Sequence, residues 1–372
     1  MAKKKKSNIK ALYLVIGALF GIIAGKLLKN ANLLGDDKAS GGEVLFTMLL
    51  MMASVYVFYF LGIIIHEAGH LVMGLLTGYK FVSFRIGSFI LVRQDGKFTV
   101  RRFALAGTAG QCLMTHDTVE IDEDIPYFWY HAGGILFNFI SAALLGLVYL
   151  NTSSKFLALC SFIGIFVYVV LGLVNLLPLK KFGIANDGSN ILEFFRDPAA
   201  RRSMLNVLII NNEQEQGRIL DSMPDELFEV RDSDESISAV NIKMYCASRE
   251  LERGDHESAK ALFKAILEKK GLIDLFVREA KCELLYCYIM TGEPAEAIDE
   301  LYSEELQKYI ILSGKFAIGR HRLMYAYYYI YKHDKENADK EYNLAFKMSQ
   351  AYHNLGDAKA EMALIERIKE KY

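Results

Sequence analysis

Two histidines and a glutamate stand together in the segment His66-Glu67-Ala68-Gly69-His70. Residues four apart lie on the same face of a helix, so His66 and His70 can bind one metal ion while Glu67 stands close to it. Paired imidazoles at this spacing, with an adjacent carboxylate, are typical of zinc-dependent hydrolases. The segment therefore predicts metal-assisted hydrolysis.

The residues before this motif are unusually apolar. No charged residue occurs between Val44 and Ile65, and a bilayer-spanning helix needs roughly 20 apolar residues. Ionisable side chains within or next to such a helix cost free energy in a membrane, so their presence indicates a function. A simpler alternative is a pair of hydrogen-bonded histidines at a helix end, with the glutamate in the headgroup region. The apolar context favours a hydrolase that works inside the membrane or at its edge.

The composition separates the chain into two halves. The 372 residues are 52% hydrophobic and 23% charged, which is too apolar for an ordinary soluble protein and too charged for an all-membrane one. The long apolar runs lie before about residue 190, whereas the second half is polar and its apolar residues recur at the spacing of a helix. A net charge of −1 argues against nucleic acid as a partner.

Four membrane spans are predicted, near residues 9–28, 44–65, 132–149 and 156–177. Lys3 to Lys6 hold the N-terminus in the cytoplasm under the positive-inside rule, and we expect the first span to be a retained anchor. The second span then runs from outside to inside, which puts His66 and His70 toward the cytoplasmic face. We therefore expect a multi-pass protein of the cell membrane with both termini in the cytoplasm.

Tetrahedral zinc in a hydrolase takes three protein ligands and a water molecule, so two histidines leave one protein ligand to be found. The fourth span ends in Asn175-Leu176-Leu177-Pro178, where the proline stops the helix, and Asp187-Gly188 follows soon after. Asp187 can turn back toward the metal from this position. An Asp-Gly pair after a span is more often a plain turn, so the residues alone leave the third ligand open.

Three elements in this order resemble the site-2 protease family of intramembrane zinc metalloproteases. They are the His66–His70 motif, Gly133-Gly134 with Asn138 on the next span, and the Asn175–Pro178 segment followed by Asp187-Gly188. The resemblance covers about residues 44–190. It implies that His66, His70 and Asp187 hold zinc, that Glu67 is the catalytic carboxylate, and that three spans form the catalytic core.

The chain departs from the family pattern at two places. Ile135 follows the Gly-Gly pair where members often have a proline, and residues 179–185 separate Pro178 from Asn186, where members often have Leu-Asp-Gly soon after the proline. Asn138 and Asn175 lie where the family places polar side chains near the scissile peptide. We expect them to bind substrate or donate to an oxyanion, although asparagine in a span more commonly bonds between helices.

Residues 81–103 alternate apolar and polar side chains around Asp95-Gly96, which predicts a small β-hairpin insertion. An edge of this hairpin can pair with an unwound substrate strand, or the hairpin can be a purely structural element on the membrane surface. His131 lies at a membrane boundary, and we interpret it as an interfacial histidine rather than a ligand.

The second half contains two similar stretches, Gly254–Ala259 and Gly292–Ala297, with a weaker third copy near His333. Their spacing of 38 residues favours a helical-repeat domain similar to tetratricopeptide repeats, with an irregular helical bundle as the alternative. The concave face of such a solenoid commonly binds proteins, so a cytoplasmic protein is a possible partner. The acidic segment 221–236 is predicted to link the halves.

The predicted fold class is an α-helical membrane protein with about four transmembrane helices and a small β-hairpin insertion, followed by a soluble all-α helical-repeat domain. The predicted domains are residues 1–43 (anchor span and external loop), 44–200 (intramembrane metalloprotease core) and 201–372 (cytoplasmic helical domain). The predicted function is a zinc endopeptidase that cleaves a membrane-embedded or membrane-tethered polypeptide near the cytoplasmic face. The alternatives are a non-catalytic membrane scaffold and a zinc protease of another membrane family with a different third ligand.

Overall fold

The computed structural model of the chain describes residues 25, 40–94, 96–102, 108–178, 180–181 and 184–372. The described chain is mostly helical, with a small antiparallel sheet between its first two long helices. The predicted first span, residues 9–28, lies outside the described residues apart from Gly25.

Three long apolar helices account for the other three predicted spans. They are α1 (Gly41–Leu76), α2 (Phe128–Asn151) and α3 (Lys155–Leu176). Each is long and apolar enough to cross a membrane. A helix satisfies its backbone hydrogen bonds internally, so such sequences can expose side chains such as Phe46, Tyr56 and Leu144 to an apolar medium.

The segment between α1 and α2 folds into a four-stranded antiparallel sheet. Its strands are β1 (Lys80–Ile86), β2 (Phe89–Gln94), β3 (Lys97–Arg102) and β4 (Gly110–Thr115), in the order β3-β2-β1-β4. The predicted hairpin is β2–β3, in which Gln94 pairs with Lys97 and Gly96 adopts a φ of 76°. The insertion is therefore larger than predicted, because β1 and β4 extend the hairpin to four strands.

After α3 the chain doubles back through a short hairpin. Strand β5 (Lys180–Lys181) pairs antiparallel with β6 (Ile184–Ala185), and α4 (Asp187–Arg196) begins directly afterwards. The next helix, α5 (Pro198–Glu215), starts on the N-cap Asp197, whose side chain accepts a hydrogen bond from the Ala199 amide. The predicted domain boundary at residue 200 falls inside α5.

The rest of the chain consists of helices joined by short turns. These are α6 (Ile237–Arg253), α7 (His256–Glu268), α8 (Asp274–Thr291), α9 (Ala295–Leu301), α10 (Glu304–Ser313), α11 (Ile318–Ala326), α12 (Lys335–Ser349) and α13 (Leu355–Lys371), with a π-helical stretch at Tyr327–Tyr331. Gly254 and Gly292 end α6 and α8 in the left-handed conformation, with φ values of 84° and 71°. The two similar stretches of the sequence thus each contain a turn and the first residues of the helix that follows it.

Two compact units can be distinguished. One comprises Met1–Ile65 and Leu136–Leu173, and the other comprises His66–Ile135 and Val174–Tyr372. All three predicted zinc ligands and Glu67 belong to the second unit. That unit also contains the sheet and the C-terminal helices. The segment 221–236, which was predicted to link the two halves, belongs to the same unit, and its Leu227 and Phe228 are buried in a small hydrophobic cluster.

Candidate metal centre

Three side chains from distant parts of the sequence meet in the second unit. His66 Nε2 lies 3.1 Å from His70 Nε2, and an oxygen of Asp187, Oδ2, lies 3.0 Å from His66 Nε2 and 3.5 Å from His70 Nε2. Among the described residues, this is the one group of three or more such ligands whose donor atoms converge, all within 4.8 Å of one another. Both histidines are buried, with about a tenth of each side chain exposed.

The spacing of these donor atoms suits a tetrahedral zinc ion. Two donors that each lie about 2.0–2.1 Å from such an ion are separated by about 3.3 Å, and the three separations here range from 3.0 to 3.5 Å. Two imidazoles and one carboxylate also match the donor set of catalytic zinc sites. The residues present therefore fit zinc, with one coordination position left for water or substrate.

The orientation of His70 is set by the backbone of α2. His70 Nδ1 donates a hydrogen bond to the Tyr130 carbonyl oxygen at 2.7 Å. A carbonyl oxygen only accepts, so Nδ1 carries a proton, and in the neutral form of the ring the lone pair of Nε2 is free to bind a metal. The Tyr130 hydroxyl in turn donates to the Cys112 carbonyl at 2.8 Å. Tyr130 thus connects His70, a predicted ligand, with strand β4.

Asp187 reaches the histidines because the chain after α3 is pinned to the end of that helix. The Asn186 side-chain amide donates to the carbonyls of Val174 and Leu177, both at 2.6 Å. The Asn186 side-chain oxygen caps α4 by accepting from the Ser189 amide at 3.1 Å. Asp187 is therefore the first residue of a helix whose start is tied to α3.

Gly188 shows why a glycine must follow this aspartate. A Cβ atom on Gly188 would lie 2.0 Å from the carbonyl oxygen of Leu176, a backbone atom that cannot easily move. The alternative that this Asp-Gly pair is a plain turn does not apply, because Asp187 and Gly188 are the first residues of α4. Position 188 requires glycine because the start of α4 lies against the backbone at the end of α3.

Two further glycines hold α1 and α2 together at the site. A Cβ on Gly133 would lie 2.3 Å from the Gly69 carbonyl oxygen, so the two helix backbones touch at this point. A Cβ on Gly134 would lie 2.6 Å from both His66 Cε1 and His70 Nε2. Gly133 therefore permits the helix contact, and Gly134 leaves room for the imidazoles.

Glu67 is buried next to the ligand group, with 9% of the residue exposed. Its carboxylate lies close enough to interact electrostatically with His66, His70 and Asp187. A carboxylate beside a metal-ligand group, and outside it, has the position expected of a proton acceptor.

His131 is a residue whose involvement the sequence did not reveal. Its Nδ1 atom lies 3.8 Å from Oδ1 of Asp187, the oxygen that does not face His66 and His70, and its Nε2 lies 3.5 Å from the Met204 sulfur. Burial opposes ionisation of Asp187, but the surrounding imidazoles outweigh it and keep the pKa of this carboxyl well below its usual range. His131 is thus buried in the protein beside a predicted ligand, and its place at a membrane boundary stays a prediction.

The two asparagines are not equally exposed. Asn138 lies on α2 four residues after Gly134 and is completely buried. Asn175 is partly buried in the last turn of α3, near the start of α4. Their roles in substrate binding or oxyanion stabilisation stay predictions.

The chain was compared with protein-family models, with curated proteins and with solved structures. None of these comparisons finds a match. What can be said about function therefore rests on the residues and their geometry.

Proposed function

We propose that this chain is an intramembrane zinc endopeptidase similar to the site-2 proteases. The observation that carries the proposal is the convergence of His66, His70 and Asp187 with Glu67 beside them, on and next to helices apolar enough to cross a membrane. The spacing of the donor atoms supports zinc as the metal, and the missing side chain at Gly134 leaves room for the two imidazoles.

The chain's own residues supply proton transfer and positioning. Zinc, when bound by His66, His70 and Asp187, provides a Lewis acid that polarises a peptide carbonyl and makes water more acidic. Glu67 accepts a proton from the attacking water and returns it to the leaving amine. His131 and the Tyr130 carbonyl orient Asp187 and His70, as outer-shell partners do in metal sites.

A peptide bond within a transmembrane helix must be released from the helix before attack, and its backbone then needs new partners. The sheet has two edge strands, β3 and β4. Strand β4 is the better candidate for pairing with substrate, because Tyr130 links it to His70 and because Cys112 on it interacts electrostatically with Glu67. The proposed substrate is a membrane-embedded or membrane-tethered polypeptide cleaved near the cytoplasmic face.

The proposed topology has four spans in the cell membrane, with both termini in the cytoplasm. Three apolar helices support a membrane location, and the lysines at 3–6 and at 180–181 support the orientation. The paired helices after residue 237 support a cytoplasmic helical-repeat domain that recruits a substrate or regulator.

The decisive experiment uses the Glu67→Gln variant. Purified full-length protein is incubated in liposomes with a fluorescent single-span helix that carries an Asn-Gly pair in its cytoplasmic half, and cleavage is followed by mass spectrometry. In cells, new protein N-termini are compared between the wild type and the variant, which covers substrates that the model helix does not represent.

We expect Glu67→Gln to abolish cleavage in both assays while zinc content stays that of the wild type. The exposed Glu120→Gln serves as the matched control and should cleave normally. If cells carrying Glu67→Gln keep the wild-type set of N-termini and the wild-type phenotype, the protease assignment fails and the scaffold alternative is favoured.

A further inference from the structure

Strands β2 and β3 have one buried face and one exposed face. Residues that pair across a ladder share a face, and successive residues of a strand alternate between faces. Ile90 and Val92 on one face are 2% and 0% exposed, and Arg101, which pairs with Ile90, donates to the Tyr352 carbonyl at 2.7 Å. That face therefore contacts the C-terminal part of the chain. The opposite face, which we call the outer face, consists of Phe89, Leu91, Arg93, Phe98, Val100 and Arg102.

The outer face is apolar at its centre and basic at its two ends. Phe89, Phe98 and Val100 are 56%, 62% and 68% exposed. At one end, the exposed Arg93 pairs with Phe98. At the other end, Arg102 pairs with Phe89 and lies over its ring, with the guanidinium carbon 5.4 Å from the ring centre. A contiguous exposed apolar patch with a polar rim marks a surface that binds a protein or a membrane.

The outer face is continuous with a surface that packs against two apolar helices. Leu91 pairs with Phe84, and Phe84 pairs with Cys112, which is buried in a hydrophobic cluster with Leu71 of α1 and Tyr130 of α2. This side of the sheet thus lies against the C-terminal part of α1 and the start of α2, and it continues past them as the exposed outer face. Both helices are apolar enough to cross a membrane, so the continuity favours a lipid surface over a protein as the partner.

The charge of the sheet segment favours anionic lipids over neutral ones. Residues 80–115 contain one acidic side chain, Asp95, and six basic ones: Lys80, Arg85, Arg93, Lys97, Arg101 and Arg102. The two charged side chains of the outer face are both arginines, and a guanidinium group can donate two parallel hydrogen bonds to a phosphate. The cytoplasmic leaflet carries anionic lipids that attract basic segments next to a membrane span. The complementary surface is therefore negatively charged.

We propose that the outer face binds anionic lipids of the cytoplasmic leaflet. Arg93 and Arg102 bind the headgroup phosphates, and Phe89, Phe98 and Val100 lie among the acyl carbons next to the headgroups. The proposal rests on the membrane location and orientation proposed above, but not on zinc binding or peptide cleavage. It is also separate from substrate pairing, which was assigned to the edge of β4 at the other side of the sheet.

The test uses tryptophan fluorescence of the full-length protein in vesicles of equal amounts of phosphatidylcholine and phosphatidylglycerol. Trp129→Phe removes the single native tryptophan, and Val100→Trp places one reporter on the outer face. In two parallel samples, one or the other lipid carries brominated acyl chains, which quench tryptophan on contact. We expect the reporter to prefer phosphatidylglycerol at least fivefold, because each arginine near an anionic surface contributes roughly that factor. Equal quenching by the two lipids would overturn the proposal.

A second reporter separates failure of this proposal from failure of the membrane assignment. Leu144→Trp, also in the Trp129→Phe background, lies on α2 at a position that is 57% exposed. We expect both brominated lipids to quench it to a similar extent. If this reporter is quenched and the one at position 100 is not, the outer face is left to a protein partner and the lipid proposal fails. If neither is quenched, the membrane location fails with it.

Charge variants locate the lipid preference to the outer face. Arg93→Gln combined with Arg102→Gln should reduce the preference of the reporter at position 100 to less than twofold. The matched control is Lys335→Gln combined with Lys347→Gln, which removes the same charge from exposed positions of α12 and should keep the preference. Arg93→Gln alone should give an intermediate value and keeps the proposal testable if the double variant does not fold. An unchanged preference in folded Arg93→Gln protein would contradict the proposal.

Discussion

The imidazole of His70 donates from Nδ1 to the main-chain carbonyl of Tyr130 at 2.7 Å, across the contact between α1 and α2. The bond fixes the ring and leaves Nε2 as the atom that faces His66 and Asp187. Because the acceptor is backbone, the tautomer depends on how closely the helices approach and not on the side chain at position 130. The glycines that permit this approach therefore help to set the geometry of the candidate site.

Replacement of Asp187 tests the third ligand directly. We expect Asp187→Ala to lose most of its bound zinc, because two histidines alone leave the ion with too few protein ligands. Zinc per protein is measured by mass spectrometry after dialysis against a weak chelator. Asp117→Ala is the control, since Asp117 pairs with Lys80 on an exposed surface. Full zinc occupancy in Asp187→Ala would mean that another residue is the third ligand.

Gly134→Ala tests the space around the imidazoles. A Cβ at this position would lie 2.6 Å from atoms of both His66 and His70, so the rings must move apart. We expect a zinc affinity reduced by at least tenfold and cleavage reduced in parallel. Gly146→Ala, on the same helix, has nothing within 4 Å of the added atom and should behave as the wild type. Equal zinc affinities for the two variants would show that the ring positions are not set by this packing.

His131→Gln tests the outer shell of the site. His131 lies 3.8 Å from the second carboxylate oxygen of Asp187, and loss of such a partner commonly lowers metal affinity about 10–100-fold. We expect weaker zinc binding in competition with a chromophoric chelator, with an unchanged helical circular-dichroism spectrum. An affinity within twofold of the wild type would limit His131 to packing against Phe194 and Met204.

Glu215 predicts a specific dependence of stability on pH. Burial raises its pKa to about 7, although Ser83 donates a hydrogen bond to it at 3.2 Å. The folded protein therefore holds a proton that the unfolded chain releases near pH 4.5. The stability from that proton is fully present below about pH 4.5 and is lost as the pH rises through 7, by up to about 3 kcal/mol.

We accordingly expect Glu215→Gln to melt several degrees above the wild type at pH 8 and near the wild type at pH 5. Thermal unfolding of the detergent-solubilised protein at the two pH values measures this, with the exposed Glu120→Gln as control. A Glu215→Gln variant that is less stable than the wild type at both pH values would show that the carboxylate is needed in its charged form.

Local sequence determined the apolar helices and two of the three residues of the candidate metal site. Runs of Leu, Ile, Phe and Met predicted apolar spans at residues 44–65, 132–149 and 156–177, and apolar helices form at Gly41–Leu76, Phe128–Asn151 and Lys155–Leu176. The i, i+4 spacing of His66 and His70 placed both imidazoles on one face, because helix geometry alone decides it. The hairpin predicted around Asp95-Gly96 also forms, because a tight turn between two adjacent strands depends on neighbouring residues only.

Tertiary structure decided everything that joins distant segments. The sequence left the third ligand open because nothing local says where Asp187 points; the β5–β6 pairing and the bonds from Asn186 to α3 bring it back. His131 and the Tyr130 carbonyl became part of the site only through packing of α1 on α2 at Gly69 and Gly133. Periodicity and spacing report on one element at a time, whereas a metal centre depends on which elements come within a few ångströms of each other.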